Sequence, residues 1–104
     1  MSVPERTAEQ RQAALERALV VRRERAALRL ALKSSAVTGG EVLLAGSDRD
    51  DWASLRVRWL LESLPGIGPI RAESLMASLS IAPSRRVGAL GVGQRNALVE
   101  AITR

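Results

Sequence analysis

Apolar residues recur at helical spacing in several segments of this 104-residue chain, and Gly, Pro and Ser separate those segments. The longest segment runs from Ala8 to Lys33 without Gly or Pro and is dense in Ala, Leu, Arg and Glu, which are strong helix formers. Thr7 and Gln10 stand at its start with the spacing of a capping box. The pattern predicts one helix over residues 8–33, roughly 39 Å long.

The next segment, residues 34–51, predicts a connector that holds one short helix. Ser34–Val37 breaks the long helix, and Thr38–Glu41 repeats the capping-box spacing just before the apolar run Val42–Ala45. Gly46–Asp51 is a locally negative loop. We expect this loop to lie away from any polyanion that the protein binds, because like charges repel.

Residues 52–104 predict short helices joined by tight turns. The stretch Leu64–Gly68 interrupts two apolar-periodic flanks, and its Pro65 disfavours continuation of the first helix. Pro69 suits the first turn of the second helix, where its missing N–H is not needed. The apolar face predicted for that second helix carries Ile70, Leu75, Met76 and Leu79.

The chemistry of this first turn favours an anionic ligand. Gly66 and Gly68 permit positive φ angles and let another backbone approach closely. The free N–H groups at the start of the following helix lie beside the positive end of its dipole, and a phosphate oxygen can accept their hydrogen bonds there. Arg71 adds a cation close by. A Gly-x-Gly turn alone is weak evidence, because many such turns only close an αα-hairpin.

A second glycine-bearing turn, Ser84–Gly91, carries two adjacent arginines, Arg85 and Arg86. We expect Ile81, Val87 and Leu90 to anchor it, so that the arginines form a cationic knob on a rigid base. Two basic turns on either side of one helix together indicate binding of a phosphate backbone.

Charge is also organised on the long helix. At about 100° per residue its cations share one face of about 80°, formed by Arg11, Arg22, Arg25, Arg29 and Lys33. The opposite face, expected to meet the C-terminal module, carries Val20, Ala27, Leu28 and Ala31, with Leu32 at its edge. A merely solvated face is the alternative, but such faces usually interleave acids with their cations. The first half of the helix buries little area and is expected to project beyond the globule.

The tryptophans Trp52 and Trp59 are the chain's two aromatic residues, which argues against a stacking platform for single-stranded nucleic acid. Trp59 is expected in the core, and Arg56 is expected to point outward. The formal charge is +5, and every cation except Lys33 is arginine, whose planar fork suits phosphate. A genome rich in arginine codons is the alternative source of this excess.

The chain lacks His and Cys, which removes the commonest general base, nucleophile and metal ligands. The acidic cluster around Asp48, Asp50 and Asp51 lacks the spacing of a calcium loop. We therefore expect no enzymatic activity, no metal, no cofactor and no small-molecule substrate. No run approaches the ~20 apolar residues that span a bilayer, and the N-terminus lacks a signal-peptide core, so a cytoplasmic protein is expected.

The motifs resemble those of the actinobacterial integration host factors, which are small nucleoid-associated proteins. The similar segments are Arg22–Ala26, Leu32–Ser34, Glu41–Val42, Leu61–Gly68, Arg71–Ala72, Ser84–Val87 and Leu90–Gly91. The C-terminal half is also similar to the helix–two-turns–helix element of a small-subunit ribosomal protein and of formamidopyrimidine-DNA glycosylases. The chain departs from the family pattern at Pro69, where Lys is frequent, and at Gly88, where Arg is frequent.

The resemblance implies an all-α protein in which the long N-terminal helix packs on a compact helix–two-turns–helix module. We expect a single DNA-binding domain over 1–104, with a flexible tip at 1–7. The resemblance and the charge pattern together select candidate nucleic-acid contacts, which are Gly66, Gly68, Ile70, Arg71, Ser84, Arg85, Arg86, Arg22, Arg25, Arg29, Lys33, Ser34 and Arg56.

The function expected from these residues is that of a monomeric nucleoid protein. It would bind double-stranded DNA largely without sequence specificity through two contact faces and bend or compact it. A role in site-specific recombination and chromosome organisation belongs to the same expectation. A protein that binds structured RNA or the ribosome is the alternative, and a helical module that binds an acidic protein is a third.

Overall fold

The structure, a computed structural model, describes residues 7–103, and the regular elements in that range are helices. Of the flexible tip predicted at 1–7, all but Thr7 lies outside the described residues. In chain order the helices are α1 (Ala8–Lys33), α2 (Gly39–Ala45), α3 (Asp50–Ala53), α4 (Val57–Glu62), α5 (Pro69–Ser78), a 3-10 helix (Val87–Ala89) and α6 (Val92–Thr103).

The long helix α1 begins and ends where its local sequence directs. The Thr7 hydroxyl accepts a hydrogen bond from the Gln10 amide at 3.1 Å, and the Gln10 side chain accepts one from the Thr7 amide at 2.9 Å. These two bonds complete the predicted capping box. At the other end, Ser34 is the C-cap and Ser35 takes a left-handed φ of 63°, which turns the chain out of the helix. The predicted helix over 8–33 is confirmed.

The hydrophobic core lies in the C-terminal two thirds of the chain. Leu60 and Leu61 of α4 are fully buried, as are Leu43 of α2 and Leu98 of α6. Burying one such leucine contributes about 1.5–3 kcal/mol, so these side chains account for much of the module's stability. The other buried apolar residues are Leu32, Val42, Leu55, Val57, Leu64, Ala72, Met76, Ile81, Val87 and Leu90.

Helix α1 meets this core only through its last turns. Leu32 is buried, and Leu28 is partly buried against the core cluster. Val20 is 50% exposed and Ala27 is also exposed, so the prediction that they lie on the buried face is wrong. The reason is geometric: α1 packs on the core through the side that carries Leu28 and Leu32, and Val20 and Ala27 lie roughly 100–120° from the middle of that side around the helix. The N-terminal part of α1 projects beyond the module, and the longest dimension of the molecule is 54 Å against 32 and 27 Å.

An isolated antiparallel β-bridge joins the start of α4 to the 3-10 helix. Arg56 pairs with Arg86, and the amides of Val57 and Val87 donate to the carbonyls of Arg85 and Leu55 at 3.0 and 2.9 Å. The sequence pattern did not indicate this pairing. It fixes the second basic turn rigidly against α4.

Arg95 of α6 ties three segments of the module together. Its guanidinium donates to the carbonyls of Leu43 at 2.6 Å, Val87 at 3.1 Å and Leu90 at 3.3 Å. Its neighbour Gln94 is likewise engaged, since its side-chain amide donates to the Ser80 carbonyl at 3.0 Å. Both side chains therefore serve the fold and are not free to contact bases.

Candidate nucleic-acid interface

The first glycine turn is open to solvent. Gly66 has a φ of +75°, which other residues rarely adopt, and Gly68 is the N-cap of α5. A Cβ atom placed on either glycine would meet nothing within 4 Å. The Ile67 amide closes the turn by donating to the Leu64 carbonyl at 3.3 Å. The bend therefore presents bare backbone to any ligand that approaches it.

Free amides follow directly at the start of α5. The first hydrogen bond into this helix runs from the Ala72 amide to the Gly68 carbonyl at 3.0 Å. The amides of Ile70 and Arg71 have no acceptor among the described residues. Pro69 occupies the first helical position, where a donor would be unpaired in any case. Two N–H groups and the positive end of the helix dipole thus point away from the protein.

Ile70 does not lie on the buried face predicted for it. Its side chain is 85% exposed, whereas Met76 is buried. Ala72 and Met76, four residues apart, define the inward face of α5, and Ile70 lies roughly 160° from Ala72 around the helix. Arg71 is also exposed, and no acidic or carbonyl partner within residues 7–103 holds it. Both side chains therefore flank the open turn.

The cations of α1 fall into two groups. Arg29 is docked on the module: its Nε donates to the Ser63 hydroxyl at 3.2 Å and its guanidinium lies 4.9 Å from the centre of the Trp59 ring. Lys33 Nζ lies 3.5 Å from the Glu62 carbonyl, just before the glycine turn. Arg22 and Arg25 are exposed and unpaired in the described part of the chain.

Three of these cations, Arg22, Arg25 and Arg29, line a groove of about 850 Å³ between α1 and Trp59. Val21 and Leu30 line the same groove together with the indole ring. A groove lined by both cationic and apolar side chains suits a polyanion that also has apolar surface, since the cations neutralise its charge. Ser34, the remaining candidate on this side, donates its hydroxyl to the Ala31 carbonyl at 3.2 Å as part of the helix end.

A second groove of about 480 Å³ lies on the other side of Trp59. It is lined by Arg56, Arg58 and Glu62 of the α4 region and by Ser84. Arg56 reaches across it and donates to the Ser84 carbonyl at 2.6 Å. Because Trp59 lines both grooves, the α1 cations and the second basic turn form one continuous surface. The sequence favoured Trp59 as a core residue, but the ring is half-buried and forms the wall between them.

The two adjacent arginines of the second turn separate. Arg85 Nη1 lies 3.4 Å from the Ala89 carbonyl of its own turn, and its buried Nε has no hydrogen-bond partner among residues 7–103. Arg86 donates to the Ser54 carbonyl at the end of α3. Successive side chains of an extended segment leave it on opposite faces, which accounts for the separation. The expected single knob of Arg85 and Arg86 is therefore not formed. Instead, Arg56 and Arg86, the two residues that pair in the β-bridge, are the arginines that lie together.

The acidic loop is partly neutralised by its own arginine. Arg49 Nη2 and Asp51 Oδ2 lie 2.7 Å apart, and the Arg49 guanidinium stacks 3.6 Å from the Trp52 ring centre. The hydrogen bond from Arg49 lowers the pKa of the Asp51 carboxyl. Both side chains of the ion pair are about half exposed, so solvent screens the pair and its effect on stability is small.

Gly88 explains one departure from the family pattern. A Cβ at this position would lie 2.6 Å from the Ala53 Cβ, 3.2 Å from its Cα and 3.3 Å from its carbonyl oxygen. The 3-10 helix therefore packs its backbone directly on α3. A longer residue at position 88 requires the two elements to move apart.

The chain is similar to known proteins both in sequence and in fold. A family model, the S13-like H2TH domain, matches residues 32–102. Three relatives carry the name integration host factor. The one from Streptomyces coelicolor is 47% identical over 94 residues, which is 90% of this chain and 88% of that protein. Those from Mycolicibacterium smegmatis and Mycobacterium tuberculosis are each 42% identical over 100 residues, 96% of this chain and 95% of theirs.

The chain belongs to the integration host factor family. A solved structure of sIHF bound to an 8-base-pair palindromic DNA has 42% identity and a TM-score of 0.78, and covers 83% of this chain and 97% of its own. The H2TH match begins at residue 32, so the family's domain includes α2 and the connector as well as residues 52–102. Within residues 7–103 no helix is long and apolar enough to cross a membrane.

The sequence pattern missed two contributors to this surface. Arg17 lines the α1 groove five residues before Arg22, and Arg58 lines the groove beside Ser84. Arg58 is held by Glu62 at 3.0 Å in an i,i+4 pair, so its charge is partly compensated. The helical projection places Arg17 about 140° from Arg22, outside the cationic face that includes Arg22 and Arg25. Such a projection describes α1 alone, so it could not indicate the groove that α1 forms with α4.

Proposed function

We propose that this protein is a nucleoid-associated protein that binds double-stranded DNA through its phosphate backbone, largely without sequence specificity. The observation that carries the proposal is the open turn at Gly66–Gly68, followed by the unpaired amides of Ile70 and Arg71. Backbone donors at a helix N-terminus bind phosphate without reading bases. The DNA held by the related sIHF in its solved structure supports the same ligand class.

A second contact face on α1 is part of the proposal. Arg22 and Arg25 have no partner within the described chain and line the groove beside Trp59. Lys33, at the Glu62 carbonyl, lies between this groove and the glycine turn. A duplex gripped at both faces follows the protein surface, and the extra contacts offset the cost of bending it. Compaction of the chromosome and support of site-specific recombination follow from such bending.

The remaining candidates have supporting roles in this proposal. Arg29, Arg56 and Arg86 already bond to the protein, so they supply positive potential and hold the surface in shape. Ser84 extends the surface at the second turn, whereas Arg85 leaves that turn on the face opposite Arg86 and supports the turn through the Ala89 carbonyl. Ser34 ends α1. We propose that residues 1–104 act as one DNA-binding domain, as a monomer, in the nucleoid within the cytoplasm. No catalytic step, metal or cofactor enters the proposal.

The experiment is a salt titration of duplex binding with charge-removing variants. Arg22→Ala with Arg25→Ala removes two unpaired cations and is expected to lower the slope of log K against log salt by ~2. Arg71→Ala is expected to lower it by ~1. Arg23→Ala is the matched control, because Arg23 lies on the same helix, carries the same charge and does not line the groove.

Fluorescence anisotropy with random, A·T-rich and G·C-rich duplexes measures these slopes. Equal weakening across the three duplexes is the expected result, since phosphate contacts carry no sequence information. Slopes that match the unsubstituted protein in both the double variant and Arg71→Ala would overturn the proposal. An RNA duplex of the same length, added as competitor, tests the alternative ligand: tighter binding of the RNA would replace DNA as the proposed partner.

A further inference from the structure

Ile70 is the most exposed large apolar side chain among residues 7–103, at 85%. It stands in the first turn of α5, immediately after Pro69 and next to Arg71. Gly68, two residues before Ile70, leaves its backbone uncovered, and a Cβ added to Gly68 would meet nothing within 4 Å. An isolated exposed isoleucine is common, but this one sits between free amide donors and an unpaired cation.

The fold itself makes no use of this side chain. The inward face of α5 is formed by Ala72 and Met76, which are buried in the core cluster. The apolar residue that precedes the N-cap, Ile67, is the one that packs against that cluster. Since Ile70 lies on the outward side, truncating it removes no contact with the core. Its apolar surface is therefore available to a ligand held at the turn.

We propose that Ile70 packs against the deoxyribose wall of the DNA minor groove when the neighbouring amides hold a phosphate. This inference rests on the proposed function. Each phosphate of a duplex is joined covalently to two sugars, so a phosphate on the Ile70 and Arg71 amides brings a sugar beside the Ile70 side chain. The apolar edges of those sugars line the minor groove, which is where architectural proteins place aliphatic side chains.

This contact adds apolar burial to the DNA affinity of the turn, and salt does not weaken that contribution. Phosphate contacts release counterions and weaken as salt rises, whereas apolar burial does not depend on charge. Ile70→Ala removes three carbon atoms from the contact. A loss of roughly fivefold to twentyfold in affinity follows if most of that surface is buried.

The test compares Ile70→Ala, Ile70→Leu and Val92→Ala by fluorescence anisotropy on one A·T-rich duplex at several salt concentrations. Val92 is the control, because it is 77% exposed in the first turn of α6. Ile70→Ala is expected to lose affinity by the same factor at every salt concentration, with an unchanged slope. Ile70→Leu keeps the carbon count and is expected to restore most of the affinity. Both positions are exposed, so all three variants are expected to fold.

Netropsin, which fills the A·T minor groove, locates the contact. With the groove filled, the difference between the unsubstituted protein and Ile70→Ala is expected to disappear. An undiminished difference would place the contact elsewhere and overturn the inference, as would an Ile70→Ala affinity equal to that of Val92→Ala. If Arg71→Ala or the Arg22→Ala, Arg25→Ala double variant still lowers the salt slope, only this inference fails; if neither does, the proposed function fails as well.

Discussion

The close packing of Gly88 on Ala53 makes a quantitative prediction about stability. Gly88→Ala places a Cβ 2.6 Å from the Ala53 Cβ, whereas ordinary contact begins at 3.4 Å, so the two elements must separate by roughly 0.8 Å. The Ala53 Cα and carbonyl oxygen, at 3.2 and 3.3 Å, are backbone atoms and cannot rotate away. Overpacking of this kind costs about 1–3 kcal/mol.

Part of that cost is offset, because replacing glycine reduces the entropy of the unfolded chain by about 0.4–1 kcal/mol. We therefore expect Gly88→Ala to destabilise the protein by about 1–2 kcal/mol and to lower Tm by roughly 4–16 °C. Gly88→Arg, which introduces the cation frequent in the family, is expected to cost at least as much. Urea and thermal unfolding followed by circular dichroism measure both values.

A double-mutant cycle identifies the clash as the cause. Ala53→Gly removes the atom at 2.6 Å, so the pair Ala53→Gly with Gly88→Ala should be more stable than the sum of the single changes by at least about 1 kcal/mol. Gly93→Ala is the control, because nothing lies within 4 Å of its added Cβ and it sits in a helix. Stability of Gly88→Ala equal to that of the unsubstituted protein, or a coupling energy of zero, would refute the reasoning.

Two further predictions concern polar contacts. Arg95→Met keeps the apolar stem but leaves three carbonyls without their charged donor, so we expect the free energy of unfolding in urea to fall by about 3 kcal/mol. A fall below about 1 kcal/mol would show that water replaces the guanidinium. Asp51→Asn tests the lowered pKa of Asp51. A carboxyl with a depressed pKa stabilises the fold above its unfolded pKa and loses that contribution as pH falls through its folded pKa. The small stability difference between the variant and the unsubstituted protein should therefore shrink from about pH 7 to about pH 3, and a difference that grows on acidification would contradict the assigned cause.

The helices were predictable from sequence where local signals determine them. The bounds of α1 follow from the Thr7 capping box and from the absence of Gly and Pro up to Lys33. The glycine turn follows from the residue types at positions 64–69, because Pro65 disfavours continuation of α4 and Gly66 takes a φ of +75° that other residues rarely adopt. The second capping box likewise locates α2, where the Thr38 hydroxyl accepts from the Glu41 amide at 3.1 Å. Each of these features depends on residues a few positions apart.

What the sequence could not supply depends on segments that meet only in the folded chain. The bridge between Arg56 and Arg86 joins residues thirty positions apart, and no local pattern marks it. Arg95 lies near the start of α6, and the three carbonyls that it binds come from α2 and the 3-10 region. The position of Val20 fits an apolar helical face equally well whether that face is buried or exposed. Periodicity identifies a face, and only the packing of the other helices decides whether that face is buried.

The phosphate-binding role of the glycine turn is tested most directly by Gly68→Asp. Aspartate is a favoured N-cap residue, and the space beside Gly68 is empty, so the variant should be at least as stable as the unsubstituted protein. Its carboxylate would accept the α5 amides and occupy the place of the phosphate, and we expect duplex affinity to fall at least about tenfold. Gly93→Asp adds the same charge in the open first turn of α6 and should bind DNA far better than Gly68→Asp. Equal affinities for these two variants would contradict binding of DNA at this turn.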